Sequence, residues 1–179
     1  MSYTTISLLQ RMLTAAMRGD NATARTLVDR MRSRADSAIP GDFGAGGYRT
    51  ALGVANALVA KNSKDMTKAI ALLREAADLE AKGSPAGPPW LPPALEVLGN
   101  TLLEAGKPQE AIAAFTKELE LRHNRSESLL GLARARLAAG DSKGSVEAYT
   151  RLLANWKHAD SGLPALAEAR GVVQGSAGR

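Results

Sequence analysis

The sequence predicts an all-α fold of stacked helix–turn–helix hairpins, and three observations predict it. Residues 92–125 superimpose on residues 126–159 at a constant offset of 34: Leu95 on Leu129, Leu98 on Leu132, Gly99 on Ala133, Gly106 on Gly140, Phe115 on Tyr149 and Leu119 on Leu153. A fixed period of that length marks a repeat architecture. Apolar residues recur at helical spacing on either side of a short polar turn within each unit. Ala and Leu abound while aromatic residues make up only 4% of the chain, a composition that favours helix.

The elements follow in chain order. Leu8 to Met17 reads as a first helix, Gly19-Asp20 as a turn, and Ala22 to Met31 as a second helix. If Gly19 plays the part of Gly106, then Ala24 corresponds to Ala111 and Val28 to Phe115. Tyr48 to Lys61 and Asp65 to Ala81 form the next pair, with Asn62-Ser63-Lys64-Asp65 as turn and cap and Ala69-x-x-x-Leu73-x-x-Ala76 repeating the second-helix pattern. In the third unit Gly106 ends one helix, because glycine alone takes the left-handed conformation freely. Lys107-Pro108-Gln109-Glu110 starts the next, with proline in the first turn and an acid at the positive helix end. Gly140-Asp141-Ser142 does the same with a capping side chain. Gly99, Ala133 and Ala111 are small enough to let the paired helices approach closely, and Phe115 and Tyr149 fill the space between hairpins. A short last helix, Leu163 to Arg170, covers the exposed end of the stack.

Two inserts break the spacing. Residues 39–47 are a glycine-rich link, and residues 83–93 are a proline-rich one whose Trp90 is expected to plug the irregular gap, with an exposed interface anchor as the alternative. Trp156 is expected to pack under the last helix.

The run Leu95-x-x-Leu98-Gly99-x-x-Leu102 followed by Ala111-x-x-x-Phe115 resembles the tetratricopeptide repeat, whose pattern is Trp-x-x-Leu-Gly-x-x-Tyr, then Ala-x-x-x-Phe and a late Pro. Leu95 stands for the Trp, Leu102 for the Tyr and His123 for the Pro; in the next unit Ala133, Arg136 and Ser145 replace the Gly, Tyr and Ala. Residues 66–170 are similar to the C-terminal part of larger bacterial tetratricopeptide-repeat proteins, which implies a bacterial source and an interaction role. The resemblance implies a right-handed superhelix in one domain, residues 1–170. Its hairpins would span about 5–38, 48–82, 92–125 and 126–159, with a cap at 162–170 and a flexible tail at 171–179.

Several functions are excluded or disfavoured by what the chain contains. It has no Cys and two His, which removes disulfide scaffolds, thiol nucleophiles and cysteine-based metal sites. His123 and His158 lie 35 residues apart, each after a second helix, and are expected to satisfy late carbonyls rather than hold a metal. The glycine-rich link has no following Gly-Lys-Ser/Thr and no G-x-G-x-x-G register, so no nucleotide cofactor is expected. No Gly-x-Ser-x-Gly elbow is present. The net charge is +5 and dispersed. The only basic cluster, Arg25, Arg30, Arg32 and Arg34, is diluted by Asp29 and Asp36 and reads as a solvated helix face, so no nucleic-acid role is expected. The longest nearly uncharged apolar stretch, Ala51 to Ala60, is about half of the ~20 residues a membrane span needs. A cytoplasmic chain is expected, without cofactor, metal or catalytic residues.

In stacked hairpins the first helices line the inner side of the curve. The resemblance implies that Leu9, Leu13, Val54, Leu58, Glu96, Asn100, Leu103, Leu130, Arg134 and Leu137 face inward. The set is mostly apolar with a polar island at Glu96, Asn100 and Arg134. It suits an amphipathic helix or hydrophobic peptide of a protein partner. The alternatives are an oligomerisation or docking segment of a larger bacterial protein, including a homo-oligomer, and non-catalytic support of an enzyme part outside this chain.

Overall fold

A computed structural model describes residues 3–36, 45–82 and 91–177. The described residues form nine helices: α1 (Tyr3–Met17), α2 (Asn21–Asp36), α3 (Ala45–Asn62), α4 (Met66–Lys82), α5 (Ala94–Glu104), α6 (Pro108–Leu121), α7 (Ser126–Ala138), α8 (Ser142–Asn155) and α9 (Pro164–Ala177). The all-α expectation holds. The chain forms two compact units, Met1–Thr101 and Leu102–Arg179, with the boundary inside α5. Helix α3 starts at Ala45, so Gly46 and Gly47 lie in a helix rather than in the link. Helix α9 continues to Ala177, past the expected end at Arg170 and through most of the expected tail. Most of the glycine-rich link, and Trp90, lie outside the described residues.

One turn is used four times. Gly19, Lys64, Gly106 and Gly140 take positive φ of 80°, 65°, 69° and 82°. In each turn this residue donates its N–H three residues back, and the next residue donates five back: Asp20 to Ala15, Asp65 to Ala60, Lys107 to Leu102 and Asp141 to Arg136, all at 2.9–3.0 Å. That is the two-bond Schellman closure of a helix end. The following residue then opens the next helix. Asp20, Asp65 and Asp141 accept from the N–H of Thr23, Lys68 and Gly144 at 3.1, 3.0 and 2.9 Å. Lys107 makes no side-chain cap; Pro108 follows it in the first turn.

The first unit holds the hairpins α1–α2 and α3–α4, and α3 packs on both α1 and α2. Ala24, Ala69 and Leu73 are fully buried, Val28 nearly so. Gly53 lies so close to α4 that an added Cβ would sit 3.0 Å from the Ala76 Cβ. Asn62 at the end of α3 donates to the Ala16 carbonyl at 2.8 Å and to Asn21 Oδ1 at 3.0 Å, joining successive turns.

The second unit packs α6 and α8 on α7, and α9 on α8. Phe115, Tyr149, Leu129 and Leu152 are fully buried in it. Gly131 shows why the unit needs a glycine there: a Cβ would come within 2.3 Å of the Phe115 ring. At the position of Ala111, Ser145 donates its buried hydroxyl to the Ala133 carbonyl at 2.9 Å.

Candidate functional site

The offset of 34 continues into α9. It places Leu132 on Leu166, Ala133 on Ala167, Arg134 on Glu168, Ala135 on Ala169 and Leu137 on Gly171. Leu166 and Ala169 are buried as Leu132 and Ala135 are. Helix α9 is therefore the first helix of a further unit in register, rather than an unrelated cap.

The consequence is a groove. Leu137 at the end of α7, Ser142, Lys143, Val146 and Glu147 on α8, and Gly171, Val172, Gly175 and Ser176 on α9 line a space of about 540 Å³, a size typical of ligand pockets. The preceding units carry Leu103 and Leu137 at the position that Gly171 takes in α9. A Cβ at Gly171 or Gly175 would touch nothing within 4 Å. Leu137 is 47% exposed there, and Val146 and Val172 are half-buried. The groove thus offers apolar side chains around open space, with Lys143 and Glu147 at its margin.

An ion-paired cluster ties α9 to α7 and α8. Arg134 donates Nε to Glu168 Oε1 at 2.8 Å and Nη2 to Glu168 Oε2 at 2.6 Å, a bidentate geometry. The Tyr149 hydroxyl donates to the same carboxylate. The Arg134 guanidinium holds the Glu168 carboxyl below its usual range despite some burial, and Glu168 raises Arg134 in return. Burial, and the carboxylate beside it, push the Tyr149 phenol up. Arg136 reaches from α7 to the Gly144 carbonyl at 3.0 Å and lies 3.8 Å from Asp141 and 3.7 Å from Glu147, bracing the first turn of α8.

The structure distributes the ten expected inner-face residues unevenly. Leu9 and Val54 are fully buried, and Leu13, Leu58, Glu96 and Leu130 are at most 7% exposed. They belong to the core. The reason is close helix approach: α1 packs on α3 as well as on α2, and Ala51, Ala55 and Ala57 of α3 have no exposed surface. Asn100 and Arg134 are exposed and Leu103 is half-buried. Arg134 is held by Glu168, and of the ten only Leu137 lines the groove. Val146, Gly171, Val172 and Gly175 are missing from the expected set. Carrying the 34-residue offset one unit further would have found Gly171 opposite Leu137.

Among the described residues, no helix is long and apolar enough to cross a membrane, and no group of three or more His, Cys, Asp or Glu is placed to hold a metal. His123 and His158 are both exposed.

Comparison with known proteins agrees with this architecture. The tetratricopeptide-repeat family model matches residues 94–127, the unit read from the sequence as 92–125. A putative kinesin light chain of Podosopora anserina with nearly identical TPR-like repeats is similar in fold. Its TM-score is 0.68 at 18% identity, over 100% of this chain and 90% of that one. MamA structures from AMB-1 and MSR-1 match with TM-scores of 0.58 and 0.56 at 13% and 12% identity. They cover 99% and 98% of this chain and 95% and 99% of theirs. No curated protein matches the chain in sequence. Folds of this kind typically serve protein–protein interaction and are generally non-catalytic.

Proposed function

We infer that this tetratricopeptide-repeat protein, with its repeat at residues 94–127, is a non-catalytic interaction module that takes a helix or hydrophobic peptide of a partner protein in the groove of α7, α8 and α9. One observation carries the reading. The second unit leaves an apolar space of about 540 Å³ open where Gly171 replaces the leucine of the two preceding units. Such a space accepts an aliphatic or aromatic anchor, the kind of side chain that dominates binding energy at protein interfaces. Lys143 and Glu147 at the margin would set the register of an amphipathic partner. The Arg134–Glu168–Tyr149 cluster supports the site by fixing α9 against α7 and α8. Within the inner-face set, Leu137 is the contact residue, and Arg134 acts through Glu168. Leu9, Leu13, Val54, Leu58, Glu96 and Leu130 support the scaffold from the core.

The test is Gly171→Leu, which restores the residue that preceding units carry. Leucine gains roughly 0.8 kcal/mol of helix propensity over glycine, and open space surrounds the Cβ. The variant should therefore melt no lower than the native chain while losing the partner that the native chain retains from lysate of the source organism. Equal retention by a folded Gly171→Leu protein would remove the groove from the account.

A further inference from the structure

We propose that the exposed face of α1 around Arg11 and Arg18 is a second interaction surface, which binds an acidic segment of a partner protein. This surface is distinct from the groove of α7–α9 and does not depend on it.

The repeat register exposes the feature. Counted back from the turn residue with positive φ, the place of Arg11 in α1 is taken by Asn56, Leu98 and Leu132 in the later first helices and the place of Thr14 by Val59, Thr101 and Ala135, and the offset of 34 adds Leu166 and Ala169 in α9. Asn56 is half-buried. The others are buried: Leu98 is 6% exposed, Leu132 4%, Val59 7%, Leu166 and Thr101 1%, and Ala135 and Ala169 not at all. In α1 the same face carries Ser7, Gln10, Arg11, Thr14 and Arg18, all exposed. On this face α1 carries Arg11 where the last three first helices carry leucine.

The face is also shaped. Ser7, Gln10, Arg11, Thr14 and Arg18 of α1, with Asp20 and Thr23 beyond the turn, line a cleft of about 330 Å³. Neither the Arg11 nor the Arg18 guanidinium has a hydrogen bond or ion pair among the described residues. Asp20 is the one carboxylate lining the cleft among the described residues, and hydrogen bonds from the Thr23 side chain and from its N–H at 3.1 Å hold its carboxyl below the usual range. Two guanidinium groups thus outnumber one carboxylate in a cleft whose remaining side chains are hydroxyls, an amide and the Ala15 methyl.

Spacing and chemistry identify the occupant. Arg11 and Arg18 are two helical turns apart, about 10.5 Å along α1 at 1.5 Å per residue. Carboxylates seven residues apart on a partner helix, or three apart on an extended strand, match that separation. Guanidinium groups recognise carboxylates through paired N–H donors, and Ser7, Thr14 and Gln10 add donors between them. Among the described residues no aromatic side chain lines the cleft, and they offer no stacking platform of the kind single-stranded nucleic acid uses. An acidic peptide is the better fit.

Fluorescence anisotropy with a labelled helical peptide bearing Glu pairs seven residues apart tests this, with the Gln version as control. The native chain should bind the Glu peptide and not the Gln peptide, more weakly as salt rises toward a Debye length of about 8 Å. Arg11→Glu/Arg18→Glu should weaken it about tenfold or more, and Arg11→Ala/Arg18→Ala by less, with helical circular dichroism unchanged because both positions are exposed. Gly171→Leu should leave this binding intact, which separates it from the groove. Equal binding of Glu and Gln peptides, or binding unaffected by either double variant, would overturn the proposal. So would tighter binding of a single-stranded oligonucleotide through the same arginines, which would assign the cleft to nucleic acid.

Discussion

Lys64 sits at φ 65° in a turn position that glycine occupies in the three equivalent turns. A side chain in the left-handed region is disfavoured by about 1–2 kcal/mol, and the extra unfolded-chain entropy of glycine offsets roughly 0.4–1 kcal/mol of that. Lys64→Gly should thus raise the stability of the first unit by about 0.5–1 kcal/mol, readable as a higher denaturant midpoint. Gly131 predicts the opposite sign. Gly131→Ala would drive a methyl to within 2.3 Å of the buried Phe115 ring, and overpacking of that kind costs about 1–3 kcal/mol. Its melting temperature should fall even though alanine is the better helix former. The Glu168 carboxyl adds a pH dependence. Its folded pKa lies below the ordinary 4.5 because Arg134 and Tyr149 donate to it. Its stabilisation is present above that unfolded value and is lost as pH falls through the folded one. Tyr149 is shifted upward instead, so its contribution is present below pH 10.0 and lost at higher pH. Glu168→Gln should flatten the acid limb of melting temperature against pH.

Each hairpin closes with the same local devices, and these were the most legible part of the sequence. A glycine followed by aspartate or proline marks a helix end and the next helix start using neighbours only, so Gly19-Asp20, Gly106-Lys107-Pro108 and Gly140-Asp141 could be read before any packing was known. Asp20, Asp65 and Asp141 all cap the following helix, whereas Lys107 does not. Loss of a capping side chain costs about 1 kcal/mol. Asp141→Ala should therefore destabilise the second unit by roughly that amount, and also remove the 3.8 Å contact with Arg136, which keeps the Gly144 carbonyl and Glu147 as partners. Lys107→Ala should change stability far less; its exposed pair with Glu110 at 2.9 Å contributes ~0–1 kcal/mol. Paired chemical denaturation of the two variants checks the contrast. The end of α9 was less legible. The last helix was expected to stop at Arg170, yet it runs through Gly171 and Gly175 to Ala177.

Across the whole chain, the pattern of repeats was readable and the pattern of exposure was not. Periodicity located the first helices, and the resemblance named the places on them expected to face inward. It could not say how closely α1 and α3 pack, which depends on the small side chains of Ala51, Ala55 and Ala57 acting at a distance in sequence. Leu9, Leu13, Val54 and Leu58 consequently became core. The two proposed surfaces lie instead where the repeat changes residue: Gly171 where two earlier units carry leucine, and Arg11 where the last three first helices carry leucine. The net charge of +5 is dispersed along the chain, so the proposed recognition rests on these local substitutions rather than on a general field.

The most direct test of the account places a photo-reactive phenylalanine analogue at residue 137, beside the groove, and in a second sample at the exposed residue 117 on α6. Both are irradiated in lysate of the source organism, with and without Gly171→Leu, and cross-linked proteins are identified by mass spectrometry. The account predicts one partner protein cross-linked from residue 137, absent from residue 117, and lost when Gly171 is filled. The same proteins captured from both positions, or a residue 137 adduct that survives Gly171→Leu, would contradict it.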